Sequence, residues 1–98
     1  MRQITIDTWV QAARGQVSTD LGGESVILDV QSGMYYGLDE VGARIWELIQ
    51  APARAAAVRD ALLAEYDVEP AACEQDMLEL LTQLRAAGLV EVVDAAGA

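Results

Sequence analysis

Short runs of alternating or β-branched apolar residues occupy the first half of the chain. They cover residues 16–21, 24–30 and 34–38. A pair of glycines separates the first two runs, and residues 31–33 separate the second from the third. Because these connections are short, the pattern predicts a three-stranded antiparallel sheet whose strands follow chain order.

The two ends of the chain have weaker patterns. Ile4, Ile6 and Val10 alternate with other residues, which hints at an extended N-terminal arm over residues 1–15. Residues 94–98 predict a frayed tail. A chain of 98 residues, 53% of them hydrophobic, can build one core but not a second. We therefore expect a single domain that spans residues 16–93.

Spacing by three and four residues replaces alternation in the second half. It predicts helices over residues 39–49, 54–66 and 70–87. Asp39 is placed to cap the first helix, and Pro70 fits the first turn of the third. The apolar stripe of the third helix consists of Cys73, Met77, Leu80 and Leu84, with Leu81 on its flank.

The third predicted helix stops at Gly88, and an apolar run at residues 89–93 predicts a short C-terminal strand. The complete order is a three-stranded antiparallel sheet followed by three helices and a short strand. This order is typical of an α+β domain of the winged-helix-turn-helix type.

Charge limits what such a domain could bind. Six arginines face sixteen carboxylates, lysine and histidine do not occur, and the net charge is −10. Nucleic-acid binding and anionic membrane surfaces both require cations, so this balance argues against both. The third helix, which contacts DNA in most winged-helix proteins, carries Glu74, Asp76 and Glu79 and would repel phosphate. The charge would attract a basic protein or peptide partner, but plain solubility explains it as well and is the simpler interpretation.

Signals for membrane insertion or secretion do not occur in the sequence. No apolar run approaches the roughly 20 residues that a membrane span needs. The N-terminus also lacks the charged, apolar and small-residue segments of a signal peptide. We therefore expect a soluble cytoplasmic protein.

Residues suited to catalysis are scarce. Without histidine, the commonest general base and metal ligand is missing. Cys73 has no CxxC partner and lies on an apolar helical stripe, which favours a buried structural thiol. The adjacent Asp39 and Glu40 stand where a helix begins, so they serve as cap and first-turn charge. We expect neither enzymatic activity nor a bound metal or cofactor.

Several short motifs, each weak alone, occur together in a fixed order. They are Leu28-Asp29, Gly33, Tyr35, Leu38, Gly42, Ile45, Trp46 and, after the third helix, Gly88-Leu89. Together they resemble the PqqD-like family, the peptide-recognition domains of pathways that modify ribosomally made peptides. The resemblance covers roughly residues 16–93. Asp39 stands where the family usually has Asn, and both residues cap helices.

The resemblance implies that the protein binds the leader segment of a precursor peptide. In this family the leader adds as a strand to the third strand, Met34–Leu38, in the groove between it and the third helix. The residues this implies for peptide binding are Met34, Tyr35, Tyr36, Cys73, Asp76, Met77 and Leu80. Residues 34–36 carry no charge or proline, so these side chains do not prevent another strand from pairing with this edge.

Two details of this site stay open in the sequence. We expect one of the paired tyrosines to face the core and the other to face the groove, where an aromatic ring offers broad contact area. The rotation of the third helix has an alternative as well. In that alternative the groove is lined by Leu78, Leu81 and Arg85.

The resemblance also implies enzyme partners. In lasso-peptide biosynthesis, stand-alone domains of this size deliver the precursor to a leader peptidase and a cyclase. The run Tyr-Tyr-Gly-Leu-Asp-Glu-Val-Gly looks most like that branch. One alternative is the PqqD-type chaperone of pyrroloquinoline quinone biosynthesis, whose partner is a radical enzyme. Another is an acidic winged-helix module that binds a partner protein through its charge.

Overall fold

The computed structural model of this chain describes residues 3–14, 16–20, 22 and 24–93. In chain order its elements are β1 (Trp9–Ala12), β2 (Gln16–Asp20), β3 (Ser25–Asp29), β4 (Met34–Leu38), α1 (Glu40–Leu48), β5 (Ala53–Arg54), α2 (Ala55–Glu65), α3 (Pro70–Ala86) and β6 (Val90–Val93). The predicted tail at 94–98, and residues 1, 2, 15, 21 and 23 of the predicted arm, first strand and first turn, lie outside the described residues.

The predicted three-stranded sheet is present and has the order β2-β3-β4. Both pairings are antiparallel, and Ile27 of β3 lies opposite Tyr36 of β4. The turn between β3 and β4 closes through a 2.8 Å hydrogen bond from the Gly33 N–H to the Asp29 carbonyl. Gly33 has a φ of +73°, which glycine adopts without strain. This sheet leaves β4 as an edge strand.

A second sheet, of order β5-β1-β6, differs from the expectation for the N-terminal arm. Residues 9–12 are extended as expected, but they form a strand that pairs antiparallel with all four residues of β6 and with β5. Val10 is fully buried in the core as a result. The predicted C-terminal strand is therefore present because the N-terminal segment provides the partner for its backbone N–H and C=O groups.

The three helices lie where the sequence predicts them, within two residues at each end. The Asp39 side chain caps α1 by accepting a 2.8 Å hydrogen bond from the Gly42 N–H. A side chain at Gly42 would lie 3.3 Å from Cβ of Leu38, so glycine allows α1 to start directly against the end of β4. Within the described residues, no helix is long and apolar enough to cross a membrane.

One core joins the two sheets and the three helices. Its fully buried side chains come from β1, β3, α2, α3 and the connections after α1 and α3, while α1 adds the buried Ile45 and Trp46; the largest fully buried residues are Ile27, Ile49, Leu62, Met77, Leu81, Leu89, Val10 and Val58. These contacts bury the inner face of the β2-β3-β4 sheet and hold the helical layer beside the end of β4. The α+β class and winged-helix-like order are confirmed, with β1 and β5 as additional elements.

Candidate functional site

A groove opens between the C-terminal end of β4 and the N-terminal half of α3. Its volume is about 580 Å³. The residues that line it are Gly37, Leu38, Asp39, Val41, Gly42, Ile45, Leu62, Tyr66, Val68, Glu69, Ala72, Cys73, Asp76, Met77 and Leu80. Most of them are apolar, as in sites that bury a ligand side chain.

The floor and the rim of the groove differ in exposure. Met77 and Leu62 form part of the floor, and each exposes only 1% of its surface. Val68 stands on the rim with 41% exposed, although it is a large apolar residue. A ligand side chain that enters the groove would therefore contact a buried apolar base and cover an exposed apolar rim.

The rotation of α3 decides which of its residues reach the groove. The structure turns Cys73, Asp76, Met77 and Leu80 toward it, together with Ala72. The alternative set does not line it: Leu81 is fully buried in the core, Leu78 packs against the core, and Arg85 is half-buried elsewhere. The four α3 residues predicted from the family resemblance thus lie together on one wall.

Ion pairs link the three helices around that wall. Arg59 of α2 donates to the Glu74 carboxylate of α3 at 2.7 Å. Arg44 of α1 donates to the Glu65 carboxylate of α2 at 2.8 Å, and this contact lowers the pKa of Glu65. Each pair is partly exposed and contributes little to stability, so the apolar core, and not these pairs, holds the helices in position.

The electrostatic character of the groove is acidic. Among the described residues that line it, Asp39, Glu69 and Asp76 carry carboxylates and none is basic. Burial, and then the neighbouring Asp76 charge, raise the pKa of the Cys73 thiol. Burial, and then Glu40, raise the pKa of the Tyr66 phenol. Both groups stay protonated at neutral pH, so this site disfavours a thiolate nucleophile and favours a cationic ligand group.

The edge strand β4 lies beside the groove and carries the other three predicted residues. None of Met34, Tyr35 and Tyr36 is among the residues that line the groove. Met34 exposes 55% of its surface and Tyr35 exposes 68%. Within the described residues, no strand pairs with the side of β4 that faces away from β3, which we call the open edge. Its backbone groups are available to another chain.

The two tyrosines face opposite sides of the sheet. Tyr36 is half-buried and packs against the core, as expected for one member of the pair. The expectation that the other faces the groove is wrong: Tyr35 lies on the outer face, away from the helices. The reason is the alternation of side chains along a strand, which places adjacent residues on opposite faces.

Part of the groove comes from residues that the sequence reasoning did not assign to it. The start of α1 and the connection between α2 and α3 supply the wall opposite α3, including Val41, Tyr66 and Val68. The position of Val68 in the groove could have been predicted from the sequence, because it is a lone large apolar residue between Asp67 and Glu69. The position of Tyr66 could not have been predicted, since its spacing fits the buried face of α2 equally well.

The arrangement suits binding of an extended chain. An open edge can form a ladder of backbone hydrogen bonds with an added strand, and an adjacent groove can take side chains of that strand. Within the described ranges, no group of three or more histidine, cysteine, aspartate or glutamate side chains is placed to hold a metal ion.

Fold and site together define an α+β peptide-recognition type of domain. The chain belongs to the PqqD family, since the family described as coenzyme PQQ synthesis protein D (PqqD) matches residues 24–90. The resemblance drawn from the sequence motifs is confirmed. A comparison with curated proteins gives no match.

Two solved structures are similar over most of the chain. "TbiB1 in complex with the TbiA(beta) leader peptide" is 37% identical, with a TM-score of 0.75, and the match covers 83% of this chain and 94% of that chain. "Lasso peptide synthetase B1 complexed with the leader peptide" is 27% identical, with a TM-score of 0.73, and the match covers 84% and 96%. Each of these relatives was solved with a leader peptide bound.

Proposed function

We propose that this protein binds the leader segment of a ribosomally made precursor peptide by strand addition to the open edge of β4. The observation that carries the proposal is the juxtaposition of that edge with an apolar groove, in a chain whose solved relatives hold leader peptides. Backbone hydrogen bonds to β4 supply affinity, and side chains that enter the groove supply specificity.

The groove indicates which leader residues it accepts. An apolar side chain fits the floor of Leu62 and Met77, where it displaces water from apolar surface. A lysine or arginine nearby can pair with Asp76 on the α3 wall. The ligand is therefore an extended peptide with an apolar anchor and a cationic neighbour, and not a nucleic acid or an anionic membrane.

The pathway that we assign is lasso-peptide biosynthesis. Both solved relatives are similar over almost their whole length, and the second is described as a lasso peptide synthetase. In this role the protein works in the cytoplasm and delivers its precursor to a leader peptidase and a cyclase. The second candidate is a chaperone of pyrroloquinoline quinone biosynthesis that serves a radical enzyme, which the description of the matching family favours.

Titration of the ¹⁵N-labelled protein with candidate leader peptides, beginning with the TbiA(beta) leader bound by the 37% identical relative, tests the proposal. We expect the largest chemical-shift changes in β4 and in the α3 residues 72–80. A scrambled leader of identical composition is the control, because it preserves charge but not order. If both peptides bind equally and high salt abolishes both interactions, the protein is a charge-driven interaction module instead.

We further propose that the protein is not itself an enzyme. Incubation of the purified protein with the precursor alone is expected to leave the precursor mass unchanged, because the groove offers no histidine and only a protonated thiol. Mass spectrometry of the precursor is the measurement. Cleavage or loss of water that persists in a Cys73→Ser variant and after repeated purification would refute the non-enzyme proposal.

A further inference from the structure

Gly37 is a glycine within a regular strand, which is an unfavourable place for one. It is the fourth residue of β4 and lies opposite Val26 of β3. Glycine in a strand interior loses more conformational freedom on folding than any other residue and contributes no side chain to packing. A sequence that keeps glycine at such a position needs a reason.

The other described glycines near the site have a reason within the fold. Gly33 adopts a positive φ, and a side chain at Gly42 would lie 3.2 Å from the Asp39 carboxylate and 3.3 Å from Leu38. Neither reason applies to Gly37. Its φ is not positive, and a side chain there would meet no atom within 4 Å. In the free protein, nothing in the described residues requires glycine at this position.

The backbone of Gly37 lines one end of the groove, but a side chain built at this position would point to the outer face of the sheet, at the open edge. The neighbouring Tyr36 and Leu38 pack toward the core, so a side chain at position 37 would point the other way, as Tyr35 does. The register places Val26 beside Gly37 and Leu28 beside Tyr35 on that face. We call the space above Gly37, bounded by Tyr35 and Val26, the notch.

We infer that the notch takes a side chain of the bound leader. The protein then contacts side chains of the leader on both faces of the sheet. This inference rests on the proposed strand addition to β4. A strand paired with β4 directs alternate side chains to the groove and to the outer face. An outward side chain near Gly37 lies beside the Tyr35 ring, and the missing side chain at Gly37 leaves room for it.

The surroundings define the chemistry of that side chain. Tyr35, Val26 and Leu28 offer an aromatic ring and aliphatic groups, so the notch suits a large apolar or aromatic residue. In an added strand, side chains directed toward the groove and toward the notch point to opposite faces, so the residue in the notch and the anchor in the groove are separated by an odd number of positions in the leader. This spacing is a specific requirement on the leader sequence.

Filling the notch with Gly37→Ala and Gly37→Val tests the inference. Both variants replace glycine in a strand, so we expect an unchanged or higher melting temperature. Leader affinity is expected to fall about tenfold or more for Gly37→Ala, and further for Gly37→Val, because the added atoms occupy the space of the leader side chain. The measurements are calorimetric titration with the leader peptide that the native protein binds in the titration above and thermal unfolding of each variant.

The matched control is Thr19→Ile, which adds bulk in the same row of the sheet but on the opposite edge strand. It should bind the leader as the native protein does. If the native protein binds the leader and both Gly37 variants bind it with the same affinity, the inference about the notch is wrong. The proposed function is not affected by that result. A lower melting temperature in Gly37→Ala also overturns it, because the fold then requires the glycine. Failure of the native protein to bind the leader overturns both.

Discussion

Proline at one of the two tyrosines of β4 will weaken leader binding by roughly ten- to hundredfold while the fold stays intact. Proline removes a backbone N–H and is tolerated only where that N–H does not bond within the sheet. In an antiparallel pair, adjacent residues direct their backbone groups alternately toward the partner strand and away from it. One of Tyr35→Pro and Tyr36→Pro therefore removes an N–H at the open edge.

The other proline variant removes a bond of the β3–β4 ladder, so its main effect is a lower free energy of unfolding. Tyr35→Ala and Tyr36→Ala are the matched controls, since each removes the ring but keeps the N–H. Circular dichroism reports folding, and calorimetric titration reports affinity. The strand-addition proposal fails if the proline variants that keep the native fold bind the leader with native affinity.

Met77→Ala will have the largest effect among substitutions on the α3 wall. Met77 is 1% exposed and forms part of both the core and the groove floor. Its truncation is expected to cost about 2–5 kcal/mol of stability, because a cavity remains where its side chain packed. Small domains have total stabilities of only about 5–15 kcal/mol, so urea unfolding will resolve this loss easily. The loosened floor will also weaken leader binding.

Asp76→Asn removes a negative charge from the α3 wall but keeps the size of the side chain, so it tests the charge of the wall independently of its packing. An exposed ion pair contributes only about 0.2–1 kcal/mol, so leader affinity should fall several-fold at most and stability should not change. Glu79→Gln is the matched control, because it removes the same charge from an exposed α3 residue outside the groove. Glu74 is unsuitable, since its carboxylate pairs with Arg59.

The order of effects on leader affinity is therefore Met77→Ala first, Asp76→Asn second and Glu79→Gln last. Calorimetric titrations at a temperature where all three variants are folded give this order directly. Loss of binding in Leu78→Ala and Arg85→Ala, with native affinity in the Met77 and Asp76 variants, would move the binding surface to another face of α3. The family assignment does not depend on that result.

The local structure of this protein was predictable from its sequence because it depends on near neighbours. Alternation, turn glycines and helical spacing place β2, β3, β4 and the three helices to within two residues. The Asp39 cap was predictable for the same reason, since its hydrogen bond spans three residues. The acidic charge and the ordered motifs likewise indicate a peptide-binding member of the PqqD family without reference to structure.

The partners of each element depend on tertiary structure. The N-terminal residues 9–12 pair with residues 90–93. The local pattern of either segment does not predict that the other segment is its partner. The rotation of α3 was also open in the sequence, because a different rotation would place Leu78 and Leu81 on the groove instead of Met77 and Leu80. Packing decides it: Leu81 is fully buried in the core, and Leu80 is left on the groove.

The contrast between Tyr35 and Tyr36 shows the physical reason most clearly. The sequence determines that adjacent strand residues face opposite sides, because the side-chain period is two. It does not determine which side the helices will cover, since that depends on where α1 and α3 pack after β4 ends. Only the assembled core buries Tyr36, exposes Tyr35 and leaves the empty space above Gly37 at the edge where a leader would add.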